Sequence, residues 1–183
     1  MKLYHSNVII KLTGSIRFYI VKIYFFKRLK TNKLGLIGNK NKFFISKKGK
    51  VVIGNKFITS NNVTILAYSK INFGKNVFIN AYSRIVAMDK IVIGDNVTIA
   101  QFVSIIDHDH NYNIKDNILC LEGYNKSEIT IGNNVWIGDK VTITKGVTIG
   151  NNVIIGANSL VVKDVLSNTV VGGNPLRLLK KLI

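Results

Sequence analysis

Between residues 129 and 162 an aliphatic side chain returns every six positions, at Ile131, Ile137, Ile143, Ile149, Ile155 and Val161. A second register runs two residues ahead of it, at Ile129, Val135, Val141, Val147 and Val153. A period of six fits neither a helix nor one long strand, whose side chains alternate every two residues. It fits a chain that bends after each short strand, three strands closing one triangular coil, and such repeats predict a parallel β-helix. Both registers then point inward and stack on the coils above and below. Gly132, Gly138, Gly150 and Gly156 are expected beside the corners, where a missing Cβ eases a tight turn.

Upstream, the beat is faint at Ile37 and Phe43, clear at Ile53, Thr59 and Ile65, and restarts at Phe73, Ile79, Ile85 and at Ile93, Ile99, Ile105. The steps from Ile65 to Phe73 and from Ile85 to Ile93 are eight residues. Two extra residues therefore sit at every third corner, which independently argues for three strands per coil. The spacing predicts five full coils from Ile53 to Val161, with a partial coil before them. One step is far longer, 26 residues from Ile105 to Ile131, so residues 106–128 are expected to leave the coil as a projecting loop.

Composition changes this picture at the N-terminus. The first fifty residues hold thirteen Lys or Arg and no acid, whereas the remainder holds thirteen basic and nine acidic residues. Residues 16–26 (IRFYIVKIYFF) are apolar but interrupted by Arg17 and Lys22, too short to span a bilayer and without the small-residue cleavage site of a signal peptide. Residues 1–33 therefore read as an extension that either caps the open end of the β-helix or lies on an anionic membrane surface. No recognised nucleic-acid motif accompanies the charge, so nucleic-acid binding is not expected. The single cysteine, Cys120, excludes a disulfide within one chain and fits a reducing, cytoplasmic setting, whether free or at the inner face of the membrane.

The projecting loop carries two of the three histidines and five of the nine acids. Asp107, His108, Asp109 and His110 have the look of metal ligands, but a three-histidine zinc site would need His5, far away and outside the repeats, so no metal is expected. No G-x-S-x-G elbow supports a serine nucleophile, and no basic partner is suggested for Cys120. A histidine general base is left, able to take a proton from a hydroxyl near neutral pH.

The hexapeptide array, the histidine loop and the closing GNNVWIG, GVTIGNNVIIGANSLVVKD and NTVVGGNP segments resemble the hexapeptide-repeat acyltransferases of the galactoside, maltose and xenobiotic O-acetyltransferase type. The resemblance implies a left-handed parallel β-helix, although parallel crossovers are right-handed in about 98% of cases. It implies a β-helix catalytic domain over residues 34–171 and a coenzyme A-contacting tail over 172–183. It also implies acetyl-CoA as donor and a homotrimer with active sites between subunits. Aligned without gaps, AQFVSIIDHDH places the family's catalytic base at His110, with His108 and the two aspartates as neighbours that orient or tune it. Asn80 falls on the residue at the acceptor hydroxyl and Phe78 on an aromatic pocket residue. Trp136, Asp139, Ala157, Val162, Lys163, Arg177 and Lys180 fall on coenzyme A positions. Close galactoside-type relatives have serine and threonine where this chain has Asp139 and Val162, and their N-terminal acceptor-binding helices have no match in residues 1–33. The implied reaction is direct acetyl transfer to a hydroxyl of a sugar or surface-glycan precursor of the capsule or lipopolysaccharide kind. The alternatives are N-acetylation of an amino sugar and a non-enzymatic scaffold that binds a polyanion or a membrane surface.

Overall fold

A computed structural model describes residues 8–31 and 33–182; His5 and Lys2 lie outside the described residues. The chain opens with a helix, α1 (Val8–Tyr24), and then winds through three parallel sheets. The first sheet begins with Leu29–Thr31 beside Lys50–Ile53, the second with Leu36–Ile37 beside Ile58–Thr59, and the third with Lys42–Ile45 beside Thr64–Ala67. Every later coil adds one rung to each sheet in register, as in Ile91↔Ile129, Ile99↔Ile137 and Ile105↔Ile143. Six three-stranded coils result among the described residues. The first is complete and not partial, and its opening strand takes Leu29–Thr31 from the segment expected to lie outside the solenoid.

Both hexapeptide registers point inward as the spacing requires. Ile129, Ile137, Val141, Ile143, Val153 and Val161 have no exposed surface. Burying such an aliphatic side chain stabilises by about 1.5–3 kcal/mol, and the stacked column lets every coil present two per strand. A single coil has no such partner above or below, which is why the stack folds as a unit.

The glycines hold the coils together for a different reason from the one expected. Gly132 and Gly138 do not adopt a left-handed backbone; a Cβ on Gly132 would come within 2.6 Å of Asn151 Oδ1, and one on Gly138 within 2.7 Å of the Ala157 nitrogen. They are small because the next coil is close. The left-handed conformation at the corner between first and second sheets is taken by Asn76, Asn96, Asn134, Asn152 and Asn168, with φ between 55° and 61°. Asparagine tolerates this region, and its side chains form a ladder, Asn76 Nδ2 donating to Asn96 Oδ1, then Asn96 to Asn134, Asn134 to Asn152 and Asn152 to Asn168.

The N-terminal segment covers the open end of the first coil. Gly14 and Phe18 of α1 and the following Phe25 are buried, and Phe18 and Phe25 join the solenoid core. Arg28 donates to the Ile45 carbonyl at 2.6 Å. Rich in β-branched residues, α1 is a weak helix former by itself and depends on this packing.

The expected loop over residues 106–128 is mostly a β-hairpin, His108–Lys115 pairing antiparallel with Ile118–Lys126. It leaves the prism at the corner between third and first sheets, where preceding coils carry their extra residues Tyr68–Ser69 and Met88–Asp89. The tail is also ordered: Arg177–Lys181 pairs antiparallel with Thr169–Gly172 and extends the second sheet.

Candidate active site

Asp107 stands where the hairpin leaves the coil. The third-sheet strands of the preceding coils end inward on the small Ala67 and Ala87, which pair with one another. One coil later the same inward position falls to Asp107, which is fully buried. A buried carboxylate must be satisfied. Asp107 Oδ1 accepts from the Met88 N–H and Oδ2 from the Asp89 N–H, each at 2.8 Å. Its third partner is His108, whose Nδ1 lies 3.0 Å from Oδ1. The Nδ1–H donates to a carboxylate that can only accept, so the remaining lone pair of the imidazole belongs to Nε2. The His108 ring is largely shielded and meets the Tyr124 ring edge-on, centroids 5.5 Å apart.

His110 sits differently. It is exposed on the hairpin, its ring tilted against the Tyr124 ring with centroids 4.8 Å apart. Among the described residues no side-chain hydrogen bond reaches its ring. Tyr124, which touches both histidines, was not singled out from the sequence; only the antiparallel register His110↔Tyr124 brings it there.

Three contacts pin the base of the hairpin. Ser127 N–H donates to the Asp107 carbonyl at 3.0 Å, Lys145 Nζ reaches Asp109 Oδ2 at 2.7 Å, and Lys90 Nζ reaches Glu128 at 2.9 Å. The Lys90 hydrogen bond is the main reason the Glu128 carboxyl is held below the usual carboxylate range, aided by Thr130 and opposed by partial desolvation.

The remaining candidates fall elsewhere on the prism. Phe78 and Trp136 share one outward column of the second sheet, separated by the single rung Thr98. Trp136 is 55% exposed and borders an open cleft of about 370 Å³ with Asn96, Asn134 and Ile154. Asn80, Asp139 and Ala157 follow the corner between second and third sheets. Asn80 Oδ1 accepts from the Ala81 N–H, and Asp139 Oδ1 from the Gln101 N–H, each carboxamide or carboxylate fixing a corner. Ala157 and Arg177 line a cleft of about 410 Å³ with Gly173 and Pro175. Val162, Lys163 and Arg177 line a neighbouring apolar cavity of about 370 Å³ at the C-terminal end of the solenoid. Lys180 is exposed on the tail strand, in register with Val170.

Two groups therefore form. The histidines stand at the corner between third and first sheets, where Val162 and Lys163 also follow the third-sheet strand Leu160–Val161 two coils further on, whereas Phe78, Asn80, Trp136, Asp139 and Ala157 lie on or beside the second sheet, the face opposite that corner. Within one chain they do not meet. No cluster of three or more His, Cys, Asp or Glu that could hold a metal occurs among the described residues.

Residues 128–163 match the family described as bacterial transferase hexapeptide (six repeats). The chain is 43% identical over 94 residues to the galactoside O-acetyltransferase of Escherichia coli K12, a match covering 50% of this chain and 44% of that one. It spans about half the length of the curated relatives it matches. Among solved structures, a maltose O-acetyltransferase from Clostridium difficile 630 is 34% identical, with 80% of this chain and 71% of that chain covered and a TM-score of 0.53. A galactoside acetyltransferase in complex with coenzyme A is 29% identical, with 94% and 80% covered and a TM-score of 0.57. The architecture shared with these chains is the left-handed parallel β-helix expected from the closing motifs.

Proposed function

Because the chain belongs to the hexapeptide-repeat, left-handed β-helix acyltransferases, we propose that it transfers an acetyl group from acetyl-CoA to a hydroxyl of a sugar or surface-glycan precursor. The observation that carries this reading is the Asp107–His108 pair, an oriented imidazole whose Nε2 is left to accept a proton. The ungapped match had favoured His110; the geometry supports His108 as the general base instead, because a base works best when a second group fixes its tautomer and direction.

In this reaction His108 Nε2 takes the acceptor's hydroxyl proton as the oxygen attacks the thioester carbonyl. The C–S bond then breaks, and the coenzyme A thiolate leaves and takes up the proton. The oxyanion formed on the way requires N–H donors nearby. Asn80 and Phe78 would hold the acceptor. Trp136, Asp139, Ala157, Val162, Lys163, Arg177 and Lys180 would follow the donor, the last two facing its phosphates.

The separation of the two groups on one chain supports assembly. A homotrimer would bring the histidine corner of one subunit against the Trp136 face of the next and complete each site at the junction. A protein binding polyanions as a scaffold would have no use for an oriented imidazole beside such a face.

The test is release of free thiol from acetyl-CoA over a panel of sugars, amino sugars and nucleotide sugars. Ester products that hydroxylamine cleaves are expected. Amide products would establish N-acetylation, and no turnover with any acceptor would favour the scaffold.

A further inference from the structure

The helix α1 that closes the solenoid has a second face. Gly14, Phe18 and Val21 turn toward the first coil, and Leu12, Ile16, Tyr19, Ile20 and Ile23 form a stripe on the opposite side. Spacings of four, seven, eight and eleven residues put these five on one line of a helix. Each is more than half exposed. A cap needs only its inner face, so these large apolar side chains in water are not explained by the packing of the chain.

The surroundings of the stripe say what covers it. Lys11 and Lys22 flank it, and Lys27 and Lys30 follow at the same end of the prism. No acidic residue precedes Asp89, so the first three coils and the cap carry only positive side-chain charge, while every acid sits from the fourth coil onward. A second copy of the chain laid on this face would set its lysines against these lysines. A polyphosphate would meet the lysines and leave the apolar stripe in water. A bilayer with anionic headgroups satisfies both, the aliphatic and aromatic side chains entering the acyl boundary and the lysines staying at the phosphates.

We propose that the outward face of α1 docks the protein on an anionic lipid surface, with the end of the solenoid against the membrane and the prism axis directed away from it. No described helix is long and apolar enough to cross a membrane, so this is attachment in the interfacial plane. The cap and membrane readings of this segment are then two faces of one helix. The inference stands on the helix and the charge distribution and is independent of the reaction proposed above.

Removal of residues 1–33 is a poor test, because it strips Phe18, Phe25 and Leu29 from the core. Point changes on the outer stripe leave that packing alone. The full chain should sediment with vesicles of phosphatidylcholine and phosphatidylglycerol, and far less with phosphatidylcholine alone. Ile16→Ser with Ile20→Ser should lower the bound fraction about ten-fold or more, as should Lys11→Glu with Lys22→Glu, with circular dichroism unchanged. Leu12→Ser with Ile23→Ser samples the same stripe and serves if the first pair perturbs folding. Undiminished sedimentation of the serine variants would overturn the proposal, since charge alone would then suffice. A serine variant whose sedimentation-equilibrium mass falls while its vesicle binding is kept would overturn it too, by assigning the face to another copy.

Discussion

His108 Nδ1 lies 3.0 Å from Asp107 Oδ1, and the same carboxylate accepts two backbone N–H groups from the corner one coil earlier. Although His108 opens the hairpin strand and meets Tyr124, its imidazole is thus also tied through a buried acid to the repeating framework. A side chain held by a buried, hydrogen-bonded partner is fixed in direction more firmly than one on an exposed strand.

Replacing His108 with Ala should therefore lower kcat by the roughly 10²- to 10⁴-fold typical of a general base, with little change in the KM for acetyl-CoA. His110→Ala should cost less than about ten-fold by the same reasoning, since its ring touches Tyr124 but no carboxylate. Steady-state kinetics on both variants decides. A larger loss at His110 would restore the base to the position favoured by the ungapped match.

Asp107 should behave as a positioning residue with a structural duty. Asp107→Asn keeps an oxygen for one backbone donor but no longer selects the tautomer with hydrogen on Nδ1, so kcat should fall while KM is held. Asp107→Ala leaves the Met88 and Asp89 N–H groups without their acceptor, at about 1–3 kcal/mol for each buried donor. Thermal unfolding should separate the two, with the alanine variant clearly the less stable. Equal stability with equal loss of kcat would remove the structural duty.

The sequence made the solenoid legible because its signal is redundant: both registers repeat at each coil, and the eight-residue steps mark the third corner. The beat weakens only where the cap begins, and there Leu29–Thr31 joined the first sheet although no second register announces it. The corners were less legible. The glycines suggested tight turns, but the left-handed conformation of the turn is taken by asparagine at Asn134 and Asn152, while Gly132 answers to the backbone of the next coil, a distance no single chain segment displays. The site was legible in the sequence as to residue type, whereas the surroundings that tell its two histidines apart were not. His108 and His110 are two apart in sequence. What distinguishes them is that Asp107 shares a register with Ala67 and Ala87, visible only once the coils are stacked.

At the C-terminal end, Arg177 borders both the Ala157 cleft and the apolar cavity beside Val162, whereas Lys180 lines neither. Arg177→Ala together with Lys180→Ala should raise the KM for acetyl-CoA ten-fold or more, from charge-assisted contacts of roughly 1.5–3 kcal/mol each, and leave the acceptor constant nearly unchanged. Arg177→Ala alone should account for most of it. An unaltered donor constant would mean that coenzyme A follows another path.

The last prediction concerns pH and the base of the hairpin. Glu128 is held below its ordinary pKa chiefly by the hydrogen bond from Lys90. A carboxyl whose pKa is lower folded than unfolded contributes stability that is present above its unfolded pKa, near 4.3, and lost as pH falls through the folded value. Both partners are more than a third exposed, so the contribution is that of a surface pair, about 0.2–1 kcal/mol, and global unfolding will scarcely register it. Local opening will, because Glu128 adjoins Ser127, whose N–H bonds to the Asp107 carbonyl. Amide exchange at Ser127, corrected for the intrinsic pH dependence of exchange, should show less protection as pH drops from 6 to 3.5, about the carboxylate range, and Glu128→Gln should remove part of that dependence while lowering protection at pH 6. If the glutamine variant follows the parent at every pH, the Lys90–Glu128 pair does not hold the hairpin, and the anchoring falls to Lys145–Asp109 and the Asp107 backbone contact.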